Sequence, residues 1–217
     1  MNVGKSPGPS QQEFVVLVHG LWTGGWVMAL QARRLQRAGF GAVTYSYDSQ
    51  GPGLAEAAAG LARFAAALPG TRIHFVGHSL GGLVILAMLA HAPGERIGRI
   101  VLLGVPYAGS IVVRRLAASS WGRRLLGRPL REWQEGQRPR PGGWEVGVLA
   151  GRRSIGIGRL VARLPAPNDG VVSEAETRIP GMRDFVSLRV SHTEMLWSRQ
   201  VTRQLRAFLG AGRFLAP

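Results

Sequence analysis

The 217-residue chain is long enough for one domain with a sizeable core and too short for two, and at 46% hydrophobic it is not a disordered polymer. It has no cysteine, which excludes a disulfide frame and a thiolate metal site. The formal net charge of +15 raises the question of a polyanion partner, but 26 of the 27 basic residues are Arg, with Lys5 the single lysine, and most are scattered singly. A nucleic-acid module would carry a basic stripe with interleaved aromatics, so no nucleic-acid partner is expected. The arginines read first as an ordinary solvated face, with a peripheral contact with an anionic membrane as the alternative.

Residues 1–12 are polar and rich in Gly, Pro and Ser, without the apolar centre of a signal peptide, and read as a flexible tail. No run of eighteen apolar residues exists, so the chain reads as cytoplasmic, with the inner face of the membrane as the surface it would touch. Glu13 to Val18 is a continuous apolar run ending in His19-Gly20, the pattern of a buried parallel strand. Trp26 to Ala38 has helical periodicity, with Gly39 as its cap. Gly41 to Tyr47 reads as a second strand, and Leu54 to Leu68 as an Ala-rich helix stopped by Pro69-Gly70. Arg72 to Val76 is a third strand, followed by an apolar helix from Leu80 to His91. Arg99 to Leu103 is a fourth strand. Segment 105–144 is the least regular part, and it predicts one or two short helices over the sheet's edge. Glu145 to Ala150 and Phe185 to Val190 are the fifth and sixth strands. Glu194 to Leu209 closes the domain, leaving 211–217 as a C-terminal tail.

Such alternation predicts an α/β domain over 13–210: a mostly parallel sheet of about six strands, helices on both faces, and 105–144 as a short cap. Ligands of such sheets sit beyond the carboxyl ends of the strands. The loops there carry the chemistry. After the third strand comes Gly77-His78-Ser79-Leu80-Gly81-Gly82, a G-x-S-x-G turn with a strand before it and a helix after it. Glycine is needed at 77 and 81 because a side chain would strike the neighbouring strand or helix. The helix N-terminus points its free N–H groups at the serine oxygen. Ser79 is therefore the candidate nucleophile.

A serine nucleophile needs N–H donors for the developing oxyanion. One is that of Leu80. The second belongs to His19-Gly20-Leu21-Trp22 after the first strand, with Leu21 the donor and Trp22 the alternative. His19 reads as a buried histidine that shapes this loop. Trp22 and Trp26 either wall an acyl pocket or pack in the core. Of five histidines, His192 alone follows a strand downstream of Ser79, which makes it the base. Of three aspartates, Asp48 precedes Ser79 and Asp184 opens the last strand at the wrong end of the sheet. Asp169, in Asn168-Asp169-Gly170, is the candidate acid, and Glu174 is the fallback.

With Ser79, Asp169 and His192 in this order, the chain resembles the α/β-hydrolase superfamily, and within it the small bacterial lipase and esterase families. The loop Gly104-Val105-Pro106-Tyr107-Ala108-Gly109-Ser110 looks like their G-T-P-H-x-G-S loop, with Val105 for Thr and Tyr107 for His. The resemblance implies a carboxylic ester hydrolase that works through an acyl-enzyme, needs no metal or organic cofactor, and takes a small acyl-ester or lipid substrate. His78, Tyr107 and Trp22 are its expected substrate contacts. An acyltransferase or thioesterase would use the same triad, since the attacking step is shared. The remaining segment, Ile111 to Leu126, sets Trp121 and aliphatic residues among four arginines. It reads either as an interfacial helix or as a surface helix with solvated Arg.

Overall fold

The computed structural model describes residues 13–216 apart from 52, 92, 93, 95, 137 and 139–141. The expected tail over 1–12 lies outside the described residues. Six strands form one parallel sheet: β1 (Glu13–Val18), β2 (Gly41–Tyr45), β3 (Arg72–His78), β4 (Ile97–Leu103), β5 (Val146–Gly151) and β6 (Asp184–Leu188). Their spatial order is β2-β1-β3-β4-β5-β6, so the winding reverses between β1 and β3. The loops leaving those two strands therefore diverge around a crevice at the carboxyl edge of the sheet, where ligands of such folds bind.

Side chains alternate across each strand, and two apolar layers follow from that period of two. Val16 and Val18 of β1 face one layer and Val15 and Leu17 the other, all four fully buried. The first layer is closed by α2 (Leu54–Ala66) and α3 (Leu80–His91), the second by α1 (Ala29–Gln36) and α8 (Arg199–Ala211). Helix α3 is buried on every side as far as Met88 because β3 lies under it and α2 and α5 lie against it, which explains its apolar sequence. No helix among the described residues is long and apolar enough to cross a membrane.

The expected long helices start later than their periodicity suggests. Gly25–Met28 is a 3₁₀ turn before α1, and Glu194–Leu196 is a 3₁₀ turn before α8, whose start Ser198 caps by accepting from the Val201 N–H. Segment 105–144 contains α4 (Ile111–Ala117) and α5 (Ser120–Glu135). Ser119 separates them: its Oγ accepts the Gly122 N–H at 3.0 Å, so no single helix spans 111–126. Helix α5 is itself broken at Gly127, whose positive φ of 67° brings it against the backbone of Gln50. Leu126, Leu130 and Trp133 of α5 pack into the layer of α2 and α3. Two short helices, α6 (Gly158–Val161) and α7 (Glu174–Thr177), lie between β5 and β6.

Candidate active site

Ser79 sits on the single residue between β3 and α3, with a φ of 53° that side chains rarely adopt. The turn is held by the Ser79 N–H donating to the Leu103 carbonyl at 3.0 Å and by the Gly82 N–H donating to the Ser79 carbonyl at 3.0 Å. Its tightness explains the flanking glycines. A Cβ on Gly77 would strike the Gly82 backbone, and one on Gly81 would strike the carbonyl oxygens of Val18 and His19. The strain at Ser79 is retained because packing on both sides over-determines it.

Asp169 reaches the same crevice from the long loop after β5, and His192 from the loop after β6. The carboxylate is 1% exposed. Its Oδ1 accepts the N–H groups of Val171 at 2.9 Å and Val172 at 2.7 Å, and its Oδ2 lies 2.7 Å from Nδ1 of His192. A carboxylate only accepts, so Nδ1 carries the proton and Nε2 is left as the ring's acceptor. The backbone repeats the link, the His192 N–H donating to the Asp169 carbonyl at 2.9 Å. Gly104, at a φ of 56°, makes room for the pair: a Cβ there would stand 3.0 Å from both Asp169 Oδ2 and His192 Nδ1.

One supporting residue escaped the sequence reading although its signal was present. Ser191-His192-Thr193-Glu194 has the S-x-x-E spacing of a capping box. Glu194 Oε2 accepts the Ser191 N–H at 2.7 Å, Ser191 Oγ accepts the Glu194 N–H at 3.4 Å, and Arg153 pairs with Glu194 at 2.6 Å. The loop bearing His192 is thereby fixed on both sides of the ring. Glu174 instead pairs with Arg178 at 2.9 Å. Asp184 accepts the N–H groups of Phe185 and Phe214, each at 2.7 Å, at the start of β6.

His78 lies between these parts. Its Nε2–H donates to the His192 carbonyl at 3.0 Å, and the two rings stand 4.6 Å apart. Burial, together with the neighbouring His192 ring, pushes its pKa down to about 3. Burial also lowers the pKa of His19 and of His74. A histidine held neutral in the fold but free to protonate when unfolded contributes stability that is complete above the unfolded value of 6.5. That stability falls as pH drops toward the folded value. Each such group steepens acid destabilisation by up to about 1.4 kcal/mol per pH unit. His78→Gln, which keeps an amide donor for the His192 carbonyl, is expected to lower the midpoint of acid unfolding. Circular dichroism against pH measures it, and an unchanged or raised midpoint contradicts the assignment.

The loop after β1 is built on His19. The Tyr47 N–H donates to its Nε2 at 3.3 Å, so its Nδ1–H donates to the Gly20 carbonyl at 2.8 Å, and its ring stacks on Tyr47 at 4.6 Å. Trp22, at a φ of 59°, donates its backbone N–H to Ser49 Oγ at 3.0 Å and its indole N–H to the Leu125 carbonyl at 2.8 Å. The backbone donor of Trp22 is thus engaged, and the indole ties this loop to α5. Leu80 heads α3, its side chain fully buried.

These loops open on a cavity of about 480 Å³. Ser79, His78, His192, Leu21 and Trp22 line one end, and Val112, Leu116, Leu126, Leu130, Val161 and Val172 wall the rest. Tyr107 does not reach it. Its ring packs 5.9 Å from Trp133 and is 5% exposed, and the Trp133 indole N–H donates to its carbonyl at 3.2 Å. The bulky ring finds its apolar partner beneath α5, while Pro106 and Ser110 of the same loop face the cavity instead. Trp26 neither walls the cavity nor enters the core, being 77% exposed.

The profile of the family described as "Alpha/beta hydrolase family" matches residues 15–215. Among solved structures, the mature lipase BlEst2 of Bacillus licheniformis superposes with a TM-score of 0.71 at 20% identity, over 96% of this chain and 94% of that one. The metagenomic carboxyl esterase MGS0156 gives 0.65 at 22% identity, over 87% of this chain and 68% of its own. The esterase EaEST of Exiguobacterium antarcticum gives 0.63 at 14% identity, over 93% of each chain. At these identities the likeness is one of fold. No curated protein sequence matches the chain significantly.

Proposed function

Because the chain belongs to the alpha/beta hydrolase family, we propose that it is a serine hydrolase of carboxylic esters, with Ser79 as nucleophile, His192 as base and Asp169 as the acid that orients it. The observation that carries the reading is the buried 2.7 Å contact of Asp169 with His192 Nδ1, beside a serine on a strained turn in the same cavity. The structural neighbours described as lipase and esterase support the same class of substrate.

In this mechanism Nε2 of His192 takes the Ser79 proton as Oγ bonds to the substrate carbonyl carbon. The oxyanion rests on the N–H groups of Leu80 and Leu21, since that of Trp22 is held by Ser49. His192 returns the proton to the alkoxide as the ester C–O bond breaks, leaving the acyl group on Ser79. Water, deprotonated by His192, then adds to the acyl carbon, and Oγ leaves with the proton. The acyl chain occupies the apolar cavity, whose size is within the range of small-molecule sites.

Two measurements test this. A fluorophosphonate should modify the protein, with the adduct on the peptide containing Ser79 by mass spectrometry. In a series of nitrophenyl esters from acetate upward, each methylene that enters the cavity contributes about 0.8 kcal/mol, or roughly fourfold in kcat/KM. A label elsewhere, or no preference for longer chains, contradicts the reading.

A further inference from the structure

Two stretches edge the mouth of the cavity: α4 with the first half of α5, and α6 with the loop before it. They meet where α4 packs on α6. Trp121 of α5 and Ile157 before α6 line the cavity yet remain 69% and 62% exposed. Leu160 of α6 is 89% exposed. One such side chain on a surface is ordinary, but two at one opening and a third on the same short helix as Gly158 and Val161, which also line it, mark an interaction site.

Their surroundings say what kind. Arg114, Arg115, Arg123, Arg124 and Arg159 are all exposed, and neither 111–131 nor 152–168 contains a single Asp or Glu. Within these stretches, the arginine ion pairs among the described residues are Arg128 with Glu132 and Arg153 with Glu194, each at 2.6 Å. The rim therefore combines apolar tips with a cationic surround of uncancelled charge. A protein partner would need to present a matching run of carboxylates around an apolar centre, whereas an anionic bilayer offers both in its ordinary layering.

We propose that this rim docks on a bilayer surface rich in anionic phospholipid. Trp121, Ile157 and Leu160 enter the boundary between headgroups and acyl chains, and the flanking guanidinium groups meet the phosphates. Docking goes beyond the ester-hydrolase reading and does not depend on it. Taken with that reading, it lets an acyl chain pass from the bilayer into the cavity without crossing water.

The test is flotation of the full chain with vesicles of phosphatidylcholine alone or mixed with phosphatidylglycerol, at low and high salt. Binding is expected only with phosphatidylglycerol present and weakens with salt. The double reversal Arg123→Glu with Arg124→Glu should weaken it at least about thirtyfold. Leu160→Ser should weaken it about tenfold. Neither variant touches the cavity, so both should hydrolyse a short water-soluble ester at the wild-type rate. That activity reports their folding and separates failure of docking from failure of the hydrolase reading. Equal binding to neutral and anionic vesicles, no binding to either, or variants that bind like wild type overturn the proposal. Tighter binding to duplex RNA than to the anionic vesicles also overturns it, by assigning the charge to a nucleic acid.

Discussion

Ser79→Ala should lower ester turnover by about a millionfold in kcat and abolish fluorophosphonate labelling. The variant removes the only protein atom that bonds to the acyl carbon in the proposed mechanism and leaves the rest of the turn intact. Alanine carries the same cost at the positive φ of residue 79 as serine does, so the fold should persist by circular dichroism. His192→Ala should cost nearly as much. The double variant should cost no more than either single one, because nucleophile and base act as one unit. Stopped or steady-state hydrolysis of a chromogenic ester, read against the uncatalysed rate, measures all three. Retention of more than a hundredth of wild-type kcat by Ser79→Ala, an estimate well above the residual expected from binding alone, would sink the nucleophile assignment.

Asp169→Asn should lower kcat by about ten-thousandfold with little change in KM. The reasoning is one of tautomers. Oδ1 of an asparagine would still accept the N–H groups of Val171 and Val172, so the loop would keep its shape. The amide nitrogen, however, would face Nδ1 of His192, where Oδ2 now accepts at 2.7 Å. The ring would then accept at Nδ1 and carry its proton on Nε2, unable to take one from Ser79. Circular dichroism together with kcat and KM for one ester distinguishes this from unfolding. A drop confined to KM would mean that Asp169 serves the shape of the loop and not the state of the ring.

Much of this protein was legible in its residues. The order of strands and helices follows from short apolar runs alternating with helical periodicity. Gly77 and Gly81 declare the turn, because no side chain fits there. The positions of His192 and Asp169 after strands follow from where a parallel sheet presents its loops. Other parts were hidden for a physical reason. Tyr107 had a plausible place in the site, but a buried ring goes where packing is best, and that is against Trp133. The proposed preference for Leu21 over Trp22 as oxyanion donor rests on Ser49, a residue 27 positions from Trp22. Periodicity could not place α5 against α2 and α3, since that depends on which helices offer it an apolar face.

Local sequence thus determined the elements and the chemistry each loop can carry, because backbone propensity, side-chain alternation and steric fit act between near neighbours. Tertiary structure alone decided which side chains meet, because hydrogen bonds and packing between distant segments depend on the mutual position of elements that no local pattern records.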